Sequence, residues 1–175
     1  MTVRSMRSAP PRRDSVGRRA SLAIVGAPSA PAAPAFAAPA APALDEATIA
    51  RHTVAAREFY NARRRRHKHL PADLFGEPTW DILLDLYVAG RENRRVPTTS
   101  ACIGAHVPPT TALRWLRILE ARGLVEREDD GRDGRRTFVH LSPAGLAAMD
   151  ATLALMCQRM DDIADKILAP TAAED

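Results

Sequence analysis

The stretch PTTALRWLRILEAR, residues 109–122, most narrows what this chain can fold into, because its residue types sort onto two opposite sides of a helix. At 100° per residue, Ala112, Trp115, Leu116 and Leu119 share one side, while Thr110, Arg114, Arg117 and Ala121 share the other. One side can be buried, and the other must face water or a polyanion. Pro108 and Pro109 suit the entry of such a helix, which is predicted to run to Arg122 before Gly123 closes it. Just before it, Thr98 to Ser100 offer a cap for a short helix that ends in the turn Ala105-His106-Val107. Two helices joined by a three-residue turn have the spacing of a helix-turn-helix. A solvated amphipathic helix would show the same two faces, and the preceding turn favours the DNA-binding motif.

In that arrangement the second helix lies in the major groove, with its first turns against base edges and phosphates. Thr110, Thr111, Arg114 and Arg117 are the candidates. Arginine can donate two bonds to guanine, and threonine can bond a phosphate or set its methyl against thymine. The prolines remove amide donors at the helix start, so side chains must supply the phosphate contacts.

Beyond Gly123, two runs that alternate apolar and polar residues flank EDDGRDGRRTF, residues 128–138, and are predicted to form a β-hairpin. Its tip can be a solvated turn built on glycine and aspartate. It can also be a loop whose arginines reach a polyanion while an acid aims one of them. Ser142-Pro143 then starts a last long helix. Along it Leu146, Met149, Leu153, Met156, Met160, Ile163 and Ile167 follow alternating three- and four-residue steps. A helix of ~25 residues extends ~37 Å, longer than a small lobe needs, so this seam is expected to form a dimerisation surface together with the helix over residues 44–70, with packing onto the chain's own core as the alternative.

Upstream, Pro78 suits a first helical position, and Trp80, Leu83, Leu84 and Tyr87 recur at helical spacing until Gly90. A further helix is expected over residues 44–70, with sparse apolar positions Ile49, Val54, Phe59 and Ala62. It ends in RRRRHKH, residues 63–69, which reads as a solvated face, with a phosphate contact as the minority alternative. Residues 1–43 contain the low-complexity run APSAPAAPAFAAPAAPA and read as a disordered tail. An export signal is disfavoured there, because the apolar run SLAIV is interrupted early by Pro28.

Charge decides less than its sum suggests. The net charge of +4 lies in the tail, where six arginines face one acid, and the remaining 132 residues are close to neutral. Local clustering therefore carries the functional reading. Cys102 and Cys157 are too few for a disulfide framework or a four-ligand zinc site, and a cytoplasmic setting is the default. Cys102 and His106 stand four apart and could share a helix face, but no further ligand cluster accompanies them.

Residues 110–145, TTALRWLRILEARGLVEREDDGRDGRRTFVHLSPAG, resemble the MarR-type winged helix-turn-helix regulators. The family pattern joins L-E-x-R-G-L-V, a D-x-R wing and L-T/S-x-x-G. Here these are Leu119 to Val125, Asp133-Gly134-Arg135, and Leu141-Ser142-Pro143-Ala144-Gly145. The resemblance implies a mainly α fold with a small β-hairpin wing: a dimerisation helix over 44–70, a winged helix-turn-helix lobe over 74–142 and a second dimerisation helix over 143–169. It implies a homodimer on a roughly palindromic double-stranded DNA site, with wings along the minor grooves. Arg132, Arg135 and Arg136 would contact minor groove or backbone, and Asp133 would hold Arg135 through a charge-assisted pair. His106 departs from the glycine common in the family's turn. The family often carries a small-molecule effector site between its lobes, and no residue motif marks one here.

The expected function is thus a sequence-specific transcriptional regulator. No phosphate loop or nucleophile elbow supports an enzyme or a bound cofactor. The alternatives are a winged helix that binds protein without DNA, which would present an acidic or apolar recognition face, and a ligand- or redox-responsive regulator using Cys102. RNA binding would need exposed aromatics, and Trp80 and Trp115 both read as core.

Overall fold

A computed structural model describes residues 36–37, 43–131 and 136–169. Nearly all of the segment expected to form a tail therefore lies outside the described residues, as do Arg132, Asp133 and Arg135 at the hairpin tip. Five helices, α1 (Glu46–Arg65), α2 (Pro78–Arg91), α3 (Thr98–Gly104), α4 (Pro109–Ala121) and α5 (Pro143–Leu168), surround a small sheet of β1 (Val96–Pro97), β2 (Val125–Asp129) and β3 (Thr137–Leu141). The sheet is antiparallel in the order β1-β3-β2, with Val96 opposite Val139 and Val125 opposite Leu141. No helix among the described residues is long and apolar enough to cross a membrane.

Two apolar clusters hold these elements. The first joins α2, α3, α4 and the sheet through Ile82, Leu86, Ala101, Leu116, Leu119 and Val139. The second packs Ala56 of α1, Leu84 and Tyr87 of α2, and Met149 and Leu153 of α5. Burying side chains the size of Leu84 or Leu153 stabilises the fold by ~1.5–3 kcal/mol each. α2 contributes to both clusters because it is buried on most of its circumference. It is the spine on which the flanking helices and the lobe are mounted.

Local chemistry explains most boundaries. The Asp45 carboxylate accepts a 2.7 Å bond from the Thr48 amide and caps α1. Ser142 caps α5 by accepting from the Gly145 amide at 2.9 Å, with Pro143 in the first turn. α4 ends in a Schellman closure: Gly123 at φ 72° sends its amide to Glu120 O, and the Leu124 amide bonds Leu119 O.

Several expectations are corrected. Thr98 to Ser100 do not cap α3, which has no side-chain cap; the Thr98 hydroxyl donates instead to Thr137 O at 2.9 Å, tying α3 to the sheet. Gly90 lies inside α2, and the left-handed residue after that helix is Asn93 at φ 55°. The buried side of α1 is His52 and Ala56, while Val54 and Ala62 point to solvent. α1 itself stops at Arg65, and a short 3-10 turn, Arg66–Lys68, follows. β1 was not expected, since two residues ending in proline leave no alternation to detect.

Candidate nucleic-acid interface

The two sides of α4 separate as the periodicity predicts. Ala112, Leu116 and Leu119 are buried in the lobe core and Trp115 packs partly buried against it. Thr110, Arg114 and Arg117 are exposed, with Thr111 half-buried in the first turn. The entry is held by Pro108, whose carbonyl accepts from the Thr111 and Ala112 amides at 2.8 and 3.0 Å. Four candidate side chains thus lie on one helix whose opposite face is locked into the core.

At the hairpin, Arg136 is exposed, lies 3.8 Å from the Asp130 carboxylate and has its guanidinium 5.6 Å from the Phe138 ring centre. The tip closes through the Asp130 amide bonding Arg136 O at 3.0 Å. Glu128 meets Arg95 at 3.2 Å, Glu126 meets His140 at 3.3 Å, and Arg127 meets Glu120 at 3.0 Å. The Arg95 and Arg136 contacts offset part of the repulsion that Glu128 and Asp130 would otherwise exert on a phosphate. Arg95 also stacks on Phe138, its guanidinium 3.9 Å from the ring centre. It is a basic side chain beside the tip end of the hairpin strands that the sequence pattern did not single out.

The turn before α4 is held from outside the lobe. His106 sits at φ 52°, in the left-handed region that costs a side chain energy. The Tyr60 hydroxyl of α1 donates to Gly104 O at 3.0 Å and lies 3.0 Å from His106 Nε2. Gly104 stands where a Cβ would come 3.1 Å from the Asp85 carboxylate. Burial pushes that carboxyl above its ordinary range.

The basic run RRRRHKH is not simply a solvated face. Arg63 is paired with Asp81 and Glu77, both at 2.8 Å; Arg64 lies over Tyr60 and Arg66 over Phe75. Arg63, Arg64, Arg66 and His67 line a cleft of about 370 Å³ whose far wall includes Ala105, His106 and Pro108. Arg66 Nε and His67 Nε2 are buried without a hydrogen-bond partner among the described residues. Only Arg65, Lys68 and His69 of the run are exposed, and the others are half-buried.

At the junction of α1, α2 and α5, Asp150 receives both a 2.7 Å bond from the Tyr87 hydroxyl and bonds of 2.5 and 2.7 Å from Arg91. Cys102 is buried, and that burial pushes its thiol above the ordinary range. Among the described residues no group of three His, Cys, Asp or Glu could hold a metal ion.

No protein-family profile matches the chain, and no curated protein matches it either. Solved structures do. A MepR variant of S. aureus bound to an oligodeoxyribonucleotide shares 15% identity over 73% of this chain and 87% of that one, with a TM-score of 0.45. A probable transcriptional regulator from Pseudomonas aeruginosa shares 28% identity over 67% and 82%, with a TM-score of 0.40. The PcaV transcriptional regulator from Streptomyces coelicolor, in complex with its natural ligand, shares 22% identity over 74% and 86%, with a TM-score of 0.40. The chain is similar to these MarR-type regulators, and its own order of helix, strand, two helices and hairpin makes it a winged helix-turn-helix protein.

Proposed function

We propose that the chain is a MarR-type transcriptional regulator that binds double-stranded DNA as a homodimer at a roughly palindromic site. The observation that carries the proposal is the exposed Thr/Arg side of α4, set opposite an apolar side packed into the lobe core. Thr110, Thr111, Arg114 and Arg117 would read the major groove. Arg132, Arg135 and Arg136 would contact the minor groove or backbone, with Asp133 orienting Arg135. A protein-binding winged helix would present an acidic or apolar surface here, and cationic side chains favour a polyanion instead. The buried, poorly ionised Cys102 speaks against a redox-sensing role.

The test is a titration of matched and mismatched duplexes at several salt concentrations. Arg114→Ala is expected to cost about 1–3 kcal/mol on the preferred site and to relax base preference at one position. Arg135→Ala should weaken all duplexes alike and reduce the salt slope by about 0.9. Equal effects of the two variants on every duplex and on the slope would contradict the division of roles.

Support for the dimer comes from the seam of α5, which changes character along its length. Met149 and Leu153 are buried in the chain's own core, whereas Ile163 and Ile167 are 56% and 75% exposed. Val54 of α1 is also exposed, beside a groove shared with Cys157 and Met160. Unpartnered isoleucines in a continuous heptad seam fit a second copy of the same helix. Replacing Ile163 and Ile167 together by glutamate is expected to convert a dimer to a monomer by sedimentation velocity. A wild-type monomer at micromolar concentration would contradict the dimer.

The cleft between the basic end of α1 and the helix-turn-helix turn suits an anionic small-molecule effector. The side chains of Arg64 and Arg66 along its wall favour this.

A further inference from the structure

We infer that Tyr60 and His106 are positioning residues for DNA reading: a strap from α1 that fixes the recognition helix α4 without touching DNA. This rests on the DNA-binding function proposed above. The strap follows from proton arithmetic. A phenol has one O–H, and Gly104 O, which only accepts, takes it at 3.0 Å. The second contact, 3.0 Å to His106 Nε2, then requires the imidazole to donate through Nε2–H to the phenol oxygen. One hydroxyl on α1 therefore holds the last carbonyl of α3 and the first left-handed residue of the turn.

The local structure gives that hold leverage. α3 has seven residues and no side-chain cap, so its ends depend on outside partners. The turn continues through Val107 and Pro108 directly into α4, and the Pro108 carbonyl starts that helix. His106 stands at φ 52°, where glycine would be free of strain. A side chain kept at a strained position implies a use for it, and the bond to Tyr60 is that use. Tyr60 is itself held under the Arg64 guanidinium, 5.4 Å from its ring centre. Base readout requires side chains placed to within a fraction of an ångström, whereas phosphate attraction tolerates more displacement. Loosening the turn should therefore lower discrimination and leave non-specific affinity intact.

The experiment uses the full chain and three variants: His106→Gly, which keeps the turn and relieves its strain, Tyr60→Phe, which keeps the ring, and the two combined. Each single variant is expected to fold with an unfolding midpoint near that of the wild type. Affinity for mismatched duplexes and the salt slope should be unchanged, and preference for the selected site should fall by roughly tenfold, about what losing one bond of ~1.4 kcal/mol would give. The double variant should lose no more than the worse single variant, because both break the same strap. Unchanged preference in either single variant, or losses that add in the double variant, would overturn the inference. In parallel, nitrogen NMR should find His106 protonated at Nε2 in the wild type and redistributed between its tautomers in Tyr60→Phe. An unprotonated Nε2 in the wild type overturns the strap whatever the DNA result. A wild type that selects no DNA overturns the DNA-binding function instead, while the nitrogen spectrum still decides whether the strap exists.

Discussion

Gly145→Ala is expected to destabilise the protein by at least about 3 kcal/mol, at the upper end of what overpacking a core costs. A Cβ at this position would lie 2.0 Å from Leu124 O and 2.9 Å from Leu124 C. Neither atom can give way. Leu124 O accepts the Ser142 amide at 3.1 Å, and the Leu124 amide closes the end of α4 on Leu119 O. The Ser142 hydroxyl meanwhile donates to Gly123 O at 2.5 Å. The end of α4, the start of the hairpin and the first turn of α5 thus meet on one peptide, and only a residue without a side chain lets them approach. Gly90→Ala is the control: it is helical, has nothing within 4 Å of its would-be Cβ, and should gain about 0.5–1 kcal/mol. Urea unfolding midpoints should therefore move in opposite directions, and a Gly145→Ala midpoint equal to that of the wild type would refute the packing described.

Asp150→Ala should be comparably damaging, at about 3–5 kcal/mol, the range for removing one partner of a buried ion pair. Asp150 is the sole acid among the described residues to which Arg91 is bonded, through both carboxylate oxygens, and it also accepts the Tyr87 hydroxyl. Its loss leaves a half-buried guanidinium and a buried phenol without an acceptor at the meeting point of α2 and α5. Burial pushes the Tyr87 hydroxyl above its ordinary range, so it stays a neutral donor and cannot compensate by ionising. Tyr87→Phe removes one neutral donor and should cost only ~0.5–1.5 kcal/mol. A difference between the two variants of less than 1 kcal/mol in urea unfolding would show that the charge pair adds little.

These two positions illustrate what could be read from the sequence. Gly145 belongs to the L-S-x-x-G run that marks the resemblance, and the structure supplies its reason: a Leu124 carbonyl where a Cβ would be. The faces of α4, its glycine closure, the hairpin and the capped start of α5 were legible because each rests on local periodicity or turn chemistry. Asp150 was not, since a single acid in an apolar seam gives no sign that Arg91 and Tyr87 lie across from it. The same holds for Arg63, drawn out of a basic run by Asp81 and Glu77, and for α1, whose inward side is a histidine and an alanine. At the candidate interface, Thr110, Thr111, Arg114 and Arg117 could be named from spacing alone. Arg95 on Phe138 and Tyr60 against His106 could not, because each pair is brought together only by tertiary folding.

The most direct measurement of the central claim is selection of DNA by the purified full chain from a random pool of genomic fragments at moderate salt, followed by sequencing of what is retained. The account predicts enrichment of a motif with two inverted half-sites about one helical turn apart, as two copies of α4 in successive major grooves would require. Retention of no DNA, or of fragments with no shared motif, would contradict it.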